Sequence, residues 1–209
     1  MKLDQLSVRD FVTELGSGNA TPGGGSVAAF CGALGAALSG MVSKLTVGRE
    51  RFKQTWQSME EVKQKAEELT GRFLELVQED TDAYQKVMAA FGLSKETEEE
   101  KASRQAAIEE AMKQAATVPL ETLRAAEKLG GIAREAIQRG NPNAITDAVA
   151  AVQLANTTAV VASYNVQINL SRIKDQTFVA SCEKEVDEVL KRLDTLFADV
   201  DGNTNIYLT

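Results

Sequence analysis

A carboxylate, Asp80, stands where a hydrophobic side chain is due. Apolar residues recur at Phe73, Leu76 and Val77 and again at Tyr84 and Val87, and the same helical stripe puts Asp80 on its inward face. Burying a carboxylate is costly unless it is paired, hydrogen-bonded or protonated. Such a site moves the pKa toward the range in which a general acid or base works. Asp82, two residues on, points to the other side of the helix and is expected to be solvated. The 209 residues include no histidine, which excludes histidine triads, histidine-ligated metals and histidine bases. Proton chemistry then falls to carboxylates, lysine, tyrosine, thiol or water, and no metal site is expected. A buried ion pair with an arginine, or a polar contact at a dimer seam, would account for Asp80 equally well.

The second chemical feature is the stretch ATPGGGSVAA, with Pro22, Gly23, Gly24, Gly25 and Ser26 in front of an uncharged run. No Lys-Ser/Thr pair follows the glycines, and Gly-x-Gly-x-x-Gly spacing is absent, so this is neither of the familiar nucleotide loops. Glycines before a helix expose backbone N–H groups that can receive a carboxylate, a carbonyl or developing negative charge. A tight loop needing positive φ angles is the competing explanation. Further along, Asp147 falls in the first turns of an apolar helix, where the helix dipole alone would favour it. Asn165 and Asn169 share a face at i,i+4 spacing, with Asp175 nearby. Their amides can bind a substrate or satisfy a neighbouring helix end. Lys44 and Arg49 read as partners of a helix C-terminus or as solvated, and KETEEEK as a solvated helix start.

The elements that must position these groups all read as helices. Ser7 caps a short helix to Leu15, and Ser26 caps a second from Val27 to Leu45 whose small residues suit close packing on all sides. A third spans Glu50 to Phe91. A fourth, capped by Ser94, runs to Ala116, where the segment Thr117–Pro119 kinks or ends it. A fifth covers Leu120 to Gln138. After the GNPN turn a sixth covers Ala144 to Ile173, and the last runs from Thr177 to Phe197. With 3 prolines, 15 glycines and no strand pattern, the expected fold is all-α, one domain over residues 1–209 with a buried small-residue central helix. The uncharged part of that helix falls short of the roughly 20 residues a bilayer requires. A formal charge of -7 argues against nucleic acid and anionic membranes as partners. Cys31 and Cys182 fit no metal or redox spacing. Read as buried free thiols, together with a start lacking a signal-peptide core, they suggest the cytoplasm.

ATPGGGSVAA, MVSKLTVGR, EDTDAYQKVM, GNPNAITDA and NVQINLSRIKD together resemble the cyclodeaminase/cyclohydrolase family, and the resemblance spans essentially the whole chain. It implies an all-helical, bundle-like homodimer acting at the one-carbon bridge of tetrahydrofolate, with no prosthetic group. A cyclodeaminase closes 5-formimino-tetrahydrofolate to the 5,10-methenyl form and releases ammonia; a cyclohydrolase opens the methenyl form to 10-formyl-tetrahydrofolate. The family's catalytic aspartate lies four residues before an aromatic in a D-x-x-A-[FY] pattern, which here is Asp80 to Tyr84. The substrate, possibly polyglutamylated, is expected against Pro22, Gly23, Gly24, Gly25 and Ser26, with Asp147, Asn165 and Asn169 at the pterin. Deamination is the first expectation and hydrolysis the alternative. A folate-binding subunit without turnover, or a helical scaffold, stays open.

Overall fold

The structure, a computed structural model, describes residues 2–207; the expected domain of residues 1–209 extends past them at both ends. Six α-helices form it: α1 (Val8–Leu15), α2 (Gly24–Lys44), α3 (Trp56–Phe91), α4 (Glu98–Arg139), α5 (Ile145–Leu170) and α6 (Gln176–Tyr207). Short 3₁₀ turns at Leu3–Gln5, Glu50–Thr55 and Pro142–Ala144 connect them, and there is no strand among the described residues.

The centre of the bundle is α2, which packs on α3, α4 and α5. Its small residues make this approach possible. A Cβ on Gly32 would lie 2.4 Å from the Phe73 ring, and one on Gly40 would lie 3.3 Å from the Cβ of Ala66. The Ser43 hydroxyl donates to the Met59 carbonyl of α3, and Thr158 of α5 donates to the Ala28 carbonyl at 3.1 Å. Burial is not all-round, however: Leu34 and Met41 of α2 are exposed. Both α2 and the segment Pro142–Leu170 are long and apolar enough to cross a membrane by length and composition alone. The expected start at Val27 made the first of them too short, whereas the helix begins at Gly24. In this fold much of that apolar surface is taken up by neighbouring helices.

The GNPN turn has a structural task. Asn141 Nδ2 donates to the Leu45 carbonyl just past α2, its N–H donates to Thr46 Oγ1, and its Oδ1 accepts from the N–H of Asn143. One residue thus closes the end of α2 and starts the turn into α5.

Several expected boundaries are corrected. Helix α2 starts at Gly24, three residues before Val27, and Ser26 is its third residue rather than its cap. The cap of α4 is Thr97, in a capping box with Glu100, while the Ser94 hydroxyl donates to Glu100 from outside. The fourth and fifth expected helices are one, with Pro119 inside α4. Proline has no N–H for the Ala115 carbonyl four residues back, which ought to break the helix. Asn169 of α5 supplies the missing donor, its Nδ2 lying 2.8 Å from that carbonyl. The stretch read as Glu50 to Phe91 is a 3₁₀ turn followed by α3. Helix α5 ends three residues before Ile173, and α6 continues past Phe197.

Candidate active site

Four helices bring the chemical groups to one cleft of about 310 Å³. The start of α2 contributes Gly23, Gly24 and Gly25; α3 contributes Asp80, Tyr84 and Val87; α4 contributes Met112 and Ala115. From α5 and the turn after it come Asn165, Ile168, Asn169 and Arg172. A larger cavity of about 710 Å³ opens between α3 and α4, but none of the sequence-derived site residues lines it. Among the described residues, no three His, Cys, Asp or Glu side chains converge as a metal site.

Asp80 is held by α2. The backbone N–H of Ser26 donates to its Oδ2 at 2.8 Å, and Ser26 Oγ lies 2.9 Å from the same oxygen. Since Gly23 has no side chain with which to cap α2, the carboxylate acts as the cap from a different helix. Burial pushes the Asp80 pKa up; the Ser26 hydroxyl and N–H oppose this, and the net direction is upward. No cation pairs with Asp80 among the described residues, so its inward placement is not explained by an ion pair. Asp82 is exposed and accepts from Gln78 Nε2.

The carboxylate lies against the backbone of Gly25. A Cβ there would stand 2.1 Å from Oδ1 and 2.6 Å from Cγ, so this position accepts no side chain while Asp80 stays in place. None of the three glycines has a positive φ; among the described residues only Gly18 and Gly48 do. Close approach, not turn geometry, is what calls for glycine. The three are also unequal. A Cβ on Gly24 would sit 3.5 Å from Asn165 Nδ2, and one on Gly23 3.6 Å from the Ala20 carbonyl, both ordinary contacts.

The remaining expected residues divide. Asn165 and Asn169 line the cleft, but their amide nitrogens are engaged: Asn165 Nδ2 donates to the Val161 carbonyl, and Asn169 Nδ2 to those of Ala115 and Asn165. Both N–H bonds of Asn169 are thereby used, so it presents its carbonyl oxygen to a ligand, whereas Asn165 has a second N–H and presents a donor as well as an acceptor. Pro22 is buried behind the glycines and does not line the cleft. Ser26 is fully buried under Asp80. Asp147 is in the first turn of α5, 18 residues from Asn165 and so about 27 Å away along a straight helix; within one chain the structure does not bring it to the cleft. Asp175 pairs with Lys113 at 2.7 Å and accepts from the N–H groups of Thr177 and Phe178 at the start of α6. Arg172 was not singled out in the sequence. It lies just beyond α5, and no periodic signal marks such a position.

Known proteins resemble this chain over most of its length. The family model described as formiminotransferase-cyclodeaminase matches residues 7–188. A methenyltetrahydrofolate cyclohydrolase of Methylorubrum extorquens is 37% identical over 204 residues, covering 97% of this chain and 95% of that protein. The formimidoyltransferase-cyclodeaminase of Rattus norvegicus is 34% identical over 197 residues, which is 94% of this chain and 36% of the rat protein. The crystal structure of formiminotetrahydrofolate cyclodeaminase from Thermotoga maritima superposes with a TM-score of 0.89 at 28% identity, covering 99% of this chain and 100% of that one. The chain belongs to the formiminotransferase-cyclodeaminase family of folate one-carbon enzymes.

Proposed function

We propose that this protein hydrolyses 5,10-methenyl-tetrahydrofolate to 10-formyl-tetrahydrofolate, with Asp80 as the acid/base group. The observation that carries the chemistry is a carboxylate of raised pKa facing a small cleft, with no cation paired to it among the described residues. Ionised Asp80 takes a proton from water as the water oxygen bonds to the methenyl carbon, giving a tetrahedral carbon between N5 and N10. The C–N5 bond then breaks while Asp80 returns the proton to N5. The hydroxyl proton leaves to solvent as the formyl C=O forms. The carbonyl oxygen of Asn169 and the amide of Asn165 pair with donor and acceptor groups of the pterin edge.

Deamination of 5-formimino-tetrahydrofolate is the second reading, and the Thermotoga maritima relationship favours it. It uses the same carboxylate in the opposite starting state: protonated Asp80 donates to the departing amine, and the carboxylate takes a proton from N10 as that nitrogen attacks the formimino carbon. Hydrolysis is placed first because the Methylorubrum extorquens cyclohydrolase is more similar and matches end to end. The near-ultraviolet absorbance of the methenyl form separates the two. Its loss above the buffer rate supports hydrolysis, and its appearance from the formimino substrate supports deamination. Tight folate binding without either change would make the protein a carrier, and no binding would leave a scaffold.

Three further assignments accompany this reading. Arg172 also lines a recess with Lys95, Lys101, Arg104 and Lys174, cations suited to the carboxylates of a folate's glutamate tail, polyglutamyl tails included. Asp147 is the one charged residue in α5, and Val160, Tyr164 and Ile168 are exposed on that helix. This uncharged face suits a homodimer, which light scattering would detect. Cys31 and Cys182 are free thiols, Cys31 only partly buried, which suits the reducing cytoplasm.

A further inference from the structure

Ser26 has one hydroxyl hydrogen and two places to put it. Its Oγ lies 2.9 Å from Asp80 Oδ2 and 3.1 Å from the Val77 carbonyl. Thr81 Oγ1, at 3.5 Å, is at the limit of a hydrogen bond. The Val77 carbonyl sits inside α3 and already has the helical N–H of Thr81, so it does not depend on Ser26. An ionised carboxylate is the stronger acceptor, and the Ser26 N–H already points at Oδ2 from 2.8 Å. Oδ2 is thus met by two donors from one residue. Oδ1 receives no hydrogen bond among the described residues. It is not among the side-chain atoms sealed off from solvent without a partner, so it is the oxygen that meets the cleft.

We propose that Ser26 is the positioning residue of the acid/base carboxylate: it occupies Oδ2 with its N–H and O–H and confines the exchangeable proton to Oδ1. A proton on Oδ2 would have to turn the Ser26 hydroxyl toward Val77 and would face the Ser26 N–H. A proton on Oδ1 disturbs neither bond and lies on the side where substrate sits. Ser26 therefore acts through Asp80 and does not touch substrate. This replaces the substrate-wall role that the sequence suggested, and its catalytic meaning rests on the function proposed above.

The groups around Asp80 leave Ser26 as its controlling neighbour. From α2 come glycine backbone and Ser26, from α4 Met112 and Ala115, and from α5 the neutral Asn165 and Asn169. Tyr84 of α3 and Arg172 beyond α5 are the other titratable or charged groups lining the cleft. Neither is hydrogen-bonded to the carboxylate among the described residues.

The test is Ser26→Ala, which keeps the backbone N–H and removes only the hydroxyl. Protein carrying ¹³C-labelled aspartate carboxyls is titrated by NMR, with the Asp80 signal assigned from Asp80→Asn. The Asp80 midpoint is expected to rise by roughly 1–2 pH units in Ser26→Ala, because a charge-assisted donor is lost. The Asp80-controlled limb of the kcat profile should move with it, and kcat at the wild-type optimum should fall roughly tenfold with KM unchanged. An unchanged or lowered midpoint overturns the proposal, as does a loss confined to KM. The NMR readout needs no turnover, so a protein inactive on both folates would refute the proposed function while still testing the role of Ser26.

Discussion

Gly25→Ala probes the contact on which the site is built. A Cβ there would stand 2.1 Å from Asp80 Oδ1, 2.6 Å from Cγ and 2.9 Å from Oδ2, whereas ordinary contact begins at 3.4 Å. The carboxylate must retreat by about 1 Å, since α3 is anchored on either side by the buried Phe73, Val77 and Val87. That movement breaks or bends the 2.8 and 2.9 Å bonds from Ser26. Losing hydrogen bonds to a charged group costs about 1.5–3 kcal/mol, and alanine in place of a helical glycine returns about 0.5–1 kcal/mol. The net destabilisation is then about 1–2 kcal/mol, a drop in Tm of about 2–8 °C for a chain of this size. Activity should suffer far more, because a misplacement of about 1 Å costs on the order of 100-fold. Steady-state rates from methenyl absorbance, alongside thermal melts, measure both. Gly71→Ala, on the exposed face of α3 away from the cleft, is the internal control, expected to keep activity within about threefold because nothing lies within 4 Å of its Cβ. If Gly25→Ala matched Gly71→Ala in kcat/KM, with both folded, the carboxylate would not occupy this position during turnover.

Three other outcomes follow from the same geometry. The raised pKa of Asp80 means that the folded state holds its proton more tightly than the unfolded chain. Its contribution to stability is therefore lost as pH rises from about 3.8 through the folded pKa, and the Tm of wild type relative to Asp80→Asn should fall across that window and level off above it. Over the same window hydrolysis should speed up and deamination should slow down, so the sign of the pH–rate slope identifies the reaction. Asn169→Ala leaves the Ala115 carbonyl without its donor and should cost about 1–3 kcal/mol in urea unfolding. In a Pro119→Ala background the restored N–H takes over, and the cost should shrink; equal costs in both backgrounds would reject the rescue. Replacing Arg172 and Lys174 with glutamine should raise KM for an oligoglutamyl folate several-fold more than for the monoglutamyl form. An equal change for both would place the tail elsewhere.

What could be read in the sequence depended on whether local pattern or a distant partner decided the outcome. The inward position of Asp80 was legible because one helix alone sets the stripe through Phe73, Leu76, Val77 and Val87, although Tyr84, expected on that stripe, is exposed. The all-helical class was legible for the same reason. Pro119 misled because its rescue comes from Asn169, 50 positions later in the chain and on another helix. Ser26 has the composition of a cap, but Asp80 fills that role from α3, so the helix starts earlier and the serine turns to the carboxylate. Thr97 and Glu100 form a readable capping box that Ser94 obscured, being an equally good cap by type. The three glycines looked alike in sequence, and only the position of Asp80 shows that Gly25 alone lacks room for a Cβ. Asp147 and Asn165 shared an apolar helix, yet the length of that helix keeps them apart.

The acid/base role of Asp80 carries the proposed reaction. Its most direct test is the turnover of 5,10-methenyl-tetrahydrofolate and of 5-formimino-tetrahydrofolate by wild type and by Asp80→Asn, a substitution that keeps size and leaves an oxygen for Ser26. The expected result is turnover of at least one substrate by wild type and a loss of kcat of roughly 10²–10⁴-fold in the folded variant. A folded Asp80→Asn protein turning over substrate at the wild-type rate would contradict the account.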